Sequence, residues 1–159
     1  MRLFFVALIF WSNSASGQND LLMKIRKNVG EVFKTETVCL EMKGAFDSTD
    51  ISKNNLLLGY KGAVELGMAR HHPNVIKKMG FFSNGKDYLE ESIKNAPESI
   101  ELRFLRLTIQ THLPAFLGYS SEKEIDKAFV LNNLSAAPSD EFKIRVRKFI
   151  SYAEKEGEL

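Results

Sequence analysis

The chain has 159 residues, with 22 Lys or Arg against 20 Asp or Glu and 44% hydrophobic side chains. That is one domain's worth of chain, long enough to bury a core without staples, and a single cysteine, Cys39, excludes an intramolecular disulfide. A formal charge of +2 with both signs interspersed gives no electrostatic case for nucleic acid or an anionic membrane as partner.

Met1-Arg2 makes a short positive start, and Leu3 to Trp11 (LFFVALIFW) is an unbroken apolar run. Its length suits the core of a signal peptide and is too short for a bilayer interior of about 30 Å. Ser12 to Gly17 is small and polar, with Ala15 and Gly17 at the −3 and −1 sites. Residues 1–17 therefore read as a signal peptide cleaved before Gln18, which makes the protein exported and leaves 18–159 as a single α-helical domain. No later stretch reaches spanning length, so no membrane span is expected.

Beyond Gln18 the apolar residues recur with the helical period, and alternation of period 2 is nearly absent. Asp20 suits the N-cap of a first helix whose stripe is Leu21, Leu22, Ile25, Val29, Val32 and Phe33. Thr35 or Thr37 suits a second, in which Val38, Cys39, Met42, Ala45 and Phe46 share one face, so Cys39 is expected to be buried. Asp47 to Asn55 is polar and reads as a loop. A third helix runs from Leu56 to Arg70, where Gly59, Ala63 and Gly67 form a small-residue stripe at i, i+4 and i+8. Glycine costs roughly 1 kcal/mol inside a helix, so the stripe predicts close approach of a neighbour.

His71 to Asn84 contains Pro73, Gly80 and a Phe-Phe pair and reads as a long connection with its apolar residues folded back on the body. Gly85 to Ala96 is the next helix, and Ile100 to His112 follows. Ser121-x-x-Glu124 has the pattern of a capping box, opening a helix that runs to Leu134. Ser135 to Asp140 breaks the chain, and Glu141 to Glu154 is the last helix.

The segment Ile100 to Leu113 is the most informative. Leu102, Leu105, Ile109 and Leu113 make one apolar face, and Ile100, Phe104 and Leu107 make another. A helix apolar on two sides packs against neighbours on both. The narrow polar sector between them holds Arg103, Arg106 and Gln110. Its arginines either serve a ligand-binding groove, where a guanidinium pair suits a carboxylate, or form internal ion pairs with Glu65, Asp126 or Glu91. The structural reading comes first, because an unpaired buried charge costs several kcal/mol.

Elsewhere the chemistry is sparse. His71, His72 and His112 are the only histidines, and adjacent histidines before a proline do not make a zinc site. The sequence has no HExxH, GxSxG, Walker or GxGxxG pattern. No metal or cofactor is expected.

The stretch Tyr88 to Leu102 (YLEESIKNAPESIEL) resembles the junction between helices in tetratricopeptide repeats, with Leu89 at the large apolar position, Ser92 and Gly85 at the small ones, and Pro97 ahead of the new helix. The first repeat helix, with its tryptophan, has no counterpart upstream. A second Ala-Pro follows 41 residues after the first, against a repeat of 34. Leu102 to Tyr119, with Tyr60 to Ala63, also looks like a group of uncharacterised exported proteins of Gram-negative bacteria. The resemblance implies an all-α array of antiparallel helix pairs, a fragment of a tetratricopeptide-like superhelix, closed by a C-terminal helix. It also implies a non-enzymatic binding or scaffold module of the bacterial envelope, with a protein or peptide as partner. The alternative is a small exported enzyme with its site at an Arg103/Arg106 groove.

Overall fold

A computed structural model describes residues 12–159, and the apolar run expected to form the signal-peptide core lies outside the described residues. The described chain is all-α. Its seven helices are α1 (Ser12–Val32), α2 (Glu36–Asp47), α3 (Asn55–His71), α4 (Val75–Asn95), α5 (Ile100–His112), α6 (Lys123–Asn132) and α7 (Asp140–Lys155). Short 3-10 turns follow α5 at Ala115–Leu117 and α6 at Leu134–Ala136.

Consecutive helices pack as pairs, α1 with α2, α3 with α4 and α5 with α6, while α1, α3, α5 and α7 touch one another in series. The expected array of antiparallel pairs with a C-terminal helix is therefore what the chain forms. α5 is the shared wall of two cores. Its Leu102, Leu105 and Ile109 join the core made with α1 to α4, and its Ile100, Phe104 and Leu107 join Val130, Leu134, Phe142, Val146 and Ile150 of the α6–α7 side. Both faces read from the 3.6-residue period are thus buried against separate partners.

Starts of helices follow the capping rule where a short polar side chain is available. Asn54, Asn74, Ser99 and Ser139 each accept a bond from the backbone N–H three residues on, which satisfies one otherwise orphaned donor. Two expected boundaries move, and a third cap stands in place without its side-chain bond. α1 already runs through Asn19, so Asp20 lies within a helix and caps nothing; Ser12 to Asn19 holds no proline to stop it. Thr35 occupies the start of α2 without a side-chain bond. The capping box at Ser121 does not form: Glu122 takes the cap position, and Ser121 Oγ donates to Glu122 Oε1 instead.

The largest correction concerns 71–84. No long connection exists there; only residues 72–74 separate α3 from α4. Pro73 stands just before the Asn74 cap, where a missing N–H does no harm, so it precedes the helix rather than breaking one. Gly80 sits on an open surface, where its cost of about 1 kcal/mol is outweighed by the cap and the packed half of α4. Val75, Ile76 and Met79 are exposed instead of folded back. Phe82 does pack against the core.

The small-residue stripe of α3 meets neighbours as expected, but different ones at each level. A Cβ on Gly59 would collide with Leu102 of α5, and one on Gly67 with Val32 and Cys39. The closest approach to α4 comes through Gly62, off that stripe: a Cβ there would stand 2.7 Å from the Gly85 carbonyl, and one on Gly85 would stand 2.8 Å from the Gly62 carbonyl. The pair lets two backbones touch. Cys39 is fully buried, its Sγ 3.7 Å from the Val64 carbonyl. Loss of water pushes its thiol up to about 11, with the nearby charges of Glu65 and Glu36 adding to the effect.

Candidate functional site

The polar sector of α5 points at the α5–α6 seam, one end of which is closed by α4. Arg106 is 3% exposed and Asp126, in the first turn of α6, is 0% exposed. They meet as a fork: Arg106 Nε lies 2.7 Å from Asp126 Oδ2, and Nη2 lies 2.8 Å from Oδ1. The remaining guanidinium nitrogen, Nη1, donates to Glu90 Oε2 of α4 at 2.6 Å, while Glu122 lies 3.8 Å from Nη2. Arg103 donates to Asp126 Oδ1 at 3.1 Å and to the Pro97 carbonyl at 3.3 Å, its plane resting over Phe129. Tyr119, from the loop after α5, donates to the other oxygen of Glu90.

The electrostatics follow from this geometry. Burial alone would lower the Arg106 guanidinium, but the bonds and charge of Asp126, with Glu90, outweigh it and raise it. Burial raises the Tyr119 phenol, and its bond to Glu90 raises it further. Arg106 therefore stays charged and Tyr119 stays protonated. The two arginines are met by Asp126 and Glu90, with Glu122 beside them, and all three nitrogens of Arg106 are engaged. Its parts come from α4, α5, α6 and one loop, so it fixes how these elements sit together.

Of the three sector residues, the structure brings Arg103 and Arg106 onto a single acid. Asp126 is among the acids the sequence suggested. The other two suggested acids, Glu65 and Glu91, do not pair with these arginines: Glu65 is buried near Lys43, 3.5 Å away, and Glu90, next to Glu91 on α4, takes the bond instead. Gln110, one turn above Arg106, is 1% exposed, and neither its Nε2 nor its Oε1 has a hydrogen-bond partner among the described residues.

A second buried acid was not visible in the sequence. Glu101, on the opposite side of α5, accepts two bonds from Arg26 of α1, at 2.7 and 2.6 Å, and one from the Tyr60 hydroxyl of α3 at 2.6 Å. The bond to Glu101 raises the Arg26 guanidinium, and burial, with the negative charge of Glu101, raises the Tyr60 phenol. Glu101 also borders a shallow depression of about 280 Å³ lined by Glu98, Ser99, Ile100, Ala136 and Pro138. Neither Arg103 nor Arg106 lines it.

The histidines serve local structure. His71 Nε2 donates to the Val32 carbonyl at 2.9 Å, His72 Nδ1 accepts from the Asn74 N–H, and His112 Nδ1 donates to the Thr108 carbonyl at 2.8 Å. Among the described residues, no group of three His, Cys, Asp or Glu side chains is placed to hold a metal ion, and no helix is long and apolar enough to cross a membrane. Compared with protein-family models, curated proteins and solved structures, the chain matches none of them.

Proposed function

We propose that this chain is an exported, non-enzymatic binding or scaffold module of the bacterial envelope, built as a tetratricopeptide-like helix array. The observation that carries the reading is the internal use of Arg106. A guanidinium that donates to Asp126 through two nitrogens and to Glu90 through the third serves to hold three helices in place. The chemistry-bearing residues of α5 are thereby committed to the frame, and what the frame offers outward is helix surface. Ile125 and Leu131 on α6, and Ile144 and Tyr152 on α7, stand exposed on its outer faces. Gln18, the residue expected at the mature N-terminus, is tied to the body by its own bonds with the Asp50 carbonyl and Asn54. The alternative, a small exported enzyme at Arg103 and Arg106, needs a guanidinium free to meet a substrate, and both are spent on Asp126.

Affinity capture of the C-terminally tagged chain from its native envelope tests the proposal, with intact mass read on the recovered protein. The expected result is a chain that begins at Gln18 and co-purifies with a protein or peptide at fixed ratio. Recovery of a solitary chain that turns over a small molecule, with turnover lost in Arg103→Ala, would overturn it in favour of the enzyme. Recovery with residues 1–17 still attached would overturn the export step.

A further inference from the structure

The net charge near zero conceals one end of the molecule that is different. From Leu66 to Lys86 the sequence runs 21 residues without an acid, while carrying Arg70, Lys77, Lys78, Lys86 and two histidines. The structure gathers much of this segment into the first turns of α4. α4 has 21 residues and the antiparallel α5 only 13, so α5 ends eight residues short, about 12 Å at 1.5 Å per residue. The start of α4 is consequently left with α3 on one side and no α5 on the other. Val75, Ile76 and Met79 are exposed there, Ile76 at 83%. Phe82, where the uncovered part ends, meets Tyr119 edge to face. The loop that brings Tyr119 to that place also carries Phe116, 86% exposed.

We infer that this overhanging end of α4, with Phe116, is a docking surface for an anionic phospholipid bilayer, which it meets without crossing. The chemistry is that of an interfacial helix: apolar side chains enter the headgroup boundary, and lysines on long apolar stems keep their ammonium groups at the phosphates. Lys77 is exposed and Lys78 half-exposed. Of the acids on the neighbouring helices, Glu31 of α1 is neutralised by Lys34 at 3.0 Å, and Glu36 opens α2 as a single exposed carboxylate against four cations of the segment. The positive end of the α4 dipole points the same way. A second copy of the chain fits less well, because a two-fold contact through this face would set Lys77 and Lys78 against their own equivalents. Anionic headgroups satisfy the lysines and the apolar residues together.

The test uses the full chain carrying Met79→Cys labelled with a polarity-sensitive fluorophore; Cys39 is fully buried and stays unlabelled. Vesicles of equal parts phosphatidylglycerol and phosphatidylcholine are compared with pure phosphatidylcholine. The expected result is a blue shift with the anionic vesicles alone, reversed by high salt. Lys77→Gln/Lys78→Gln should weaken it about thirtyfold, roughly a factor of five per lysine, with an unchanged melting curve. No shift with anionic vesicles at low salt would overturn the proposal. So would an equal shift with neutral vesicles, which would show that the lysines select no anionic headgroup, or a lipid-independent shift that grows with protein concentration, which would assign the surface to a second copy.

Discussion

Asp126 and Glu101 are both buried carboxylates bound to arginine, and α5 is involved in both, yet they are built differently. Asp126 lies in the narrow seam between α5 and α6, and its charge is met by two arginines spaced one turn apart on a single helix. Glu101 sits at the start of α5 and is met from afar, by Arg26, 75 positions away in the chain, and by Tyr60. At the first site the arginine is the buried partner, 4% exposed in its side chain; at the second Arg26 retains 31%. A half-exposed arginine can turn back to water when its acid is lost, and a buried one cannot. The same pair of residue types therefore carries unequal weight.

The largest effect should follow Arg106→Ala. It leaves Asp126 with only the single bond from Arg103 and frees Glu90 from its cation, so a loss of about 3–5 kcal/mol is expected. Arg103→Ala should cost about 1 kcal/mol, since a part-exposed side chain with one acid contact contributes less. At the second site, Glu101→Ala should cost about 1–3 kcal/mol, mainly through the buried Tyr60 hydroxyl left without its acceptor. Urea midpoints rank the three. If Arg106→Ala and Glu101→Ala were equal, the contrast between the sites would be gone, and wild-type stability in both arginine variants would return the sector to the list of ligand sites.

Alkali sharpens the comparison because each site contains one tyrosine donating to its acid. Burial raises both phenols above the ordinary value near 10, and the facing carboxylate raises each further. Cys39 behaves alike, raised from about 9 to about 11. In each case the folded state holds a proton that the unfolded chain releases, so the stability from these groups is complete below about pH 9 and declines as pH rises toward 11 and beyond. Stability should be flat around neutrality, then fall, first through Cys39 and then through the phenols. Phenolate absorbance from Tyr60 and Tyr119 should appear together with the loss of helical circular dichroism. Tyr60→Phe and Tyr119→Phe should each shrink that shared step. Phenolate absorbance at full strength in a still-helical protein would show that these hydroxyls reach solvent.

What the sequence disclosed follows the range of each interaction. The two apolar faces of α5 and the enclosed sector between them are properties of one helix, readable from the 3.6-residue period. The burial of Cys39 was readable in the same way. Asp126 could be suggested only alongside Glu65 and Glu91, because nothing within one helix chooses among the acids of others, and Glu90 and Glu122 were passed over for the same reason. Arg26 and Glu101 carry no local sign of each other: Glu101 in the first turn of a helix is equally an ordinary dipole acid. The glycines show the limit of periodicity from another side. A stripe at i, i+4 and i+8 marked Gly59 and Gly67 but passed over Gly62, whose importance comes from Gly85 across the helix pair. The start of α4 was misread because Pro73 and Gly80 look like breakers until Asn74 is seen capping the helix between them.

The smallest expected effect has the opposite sign. Gln110 lies on the same stripe as Arg106 and is equally buried, but its amide has no partner among the described residues at either end. The stripe therefore holds one fully satisfied polar group and one unsatisfied group a single turn apart. A buried amide without hydrogen bonds costs roughly 1–3 kcal/mol relative to one that has them. Gln110→Leu keeps most of the volume, removes the unmet donor and acceptor, and adds apolar surface to a helix already apolar on both sides. It should raise stability by about 1 kcal/mol, which for a domain of this size is a rise in Tm of roughly 2–4 °C. Arg106→Leu at the neighbouring turn should do the reverse, so the two substitutions of the same kind on one stripe bracket the argument. A fall in Tm for Gln110→Leu would mean that the amide is bonded within the folded protein, and would mark the space above Arg106 as polar.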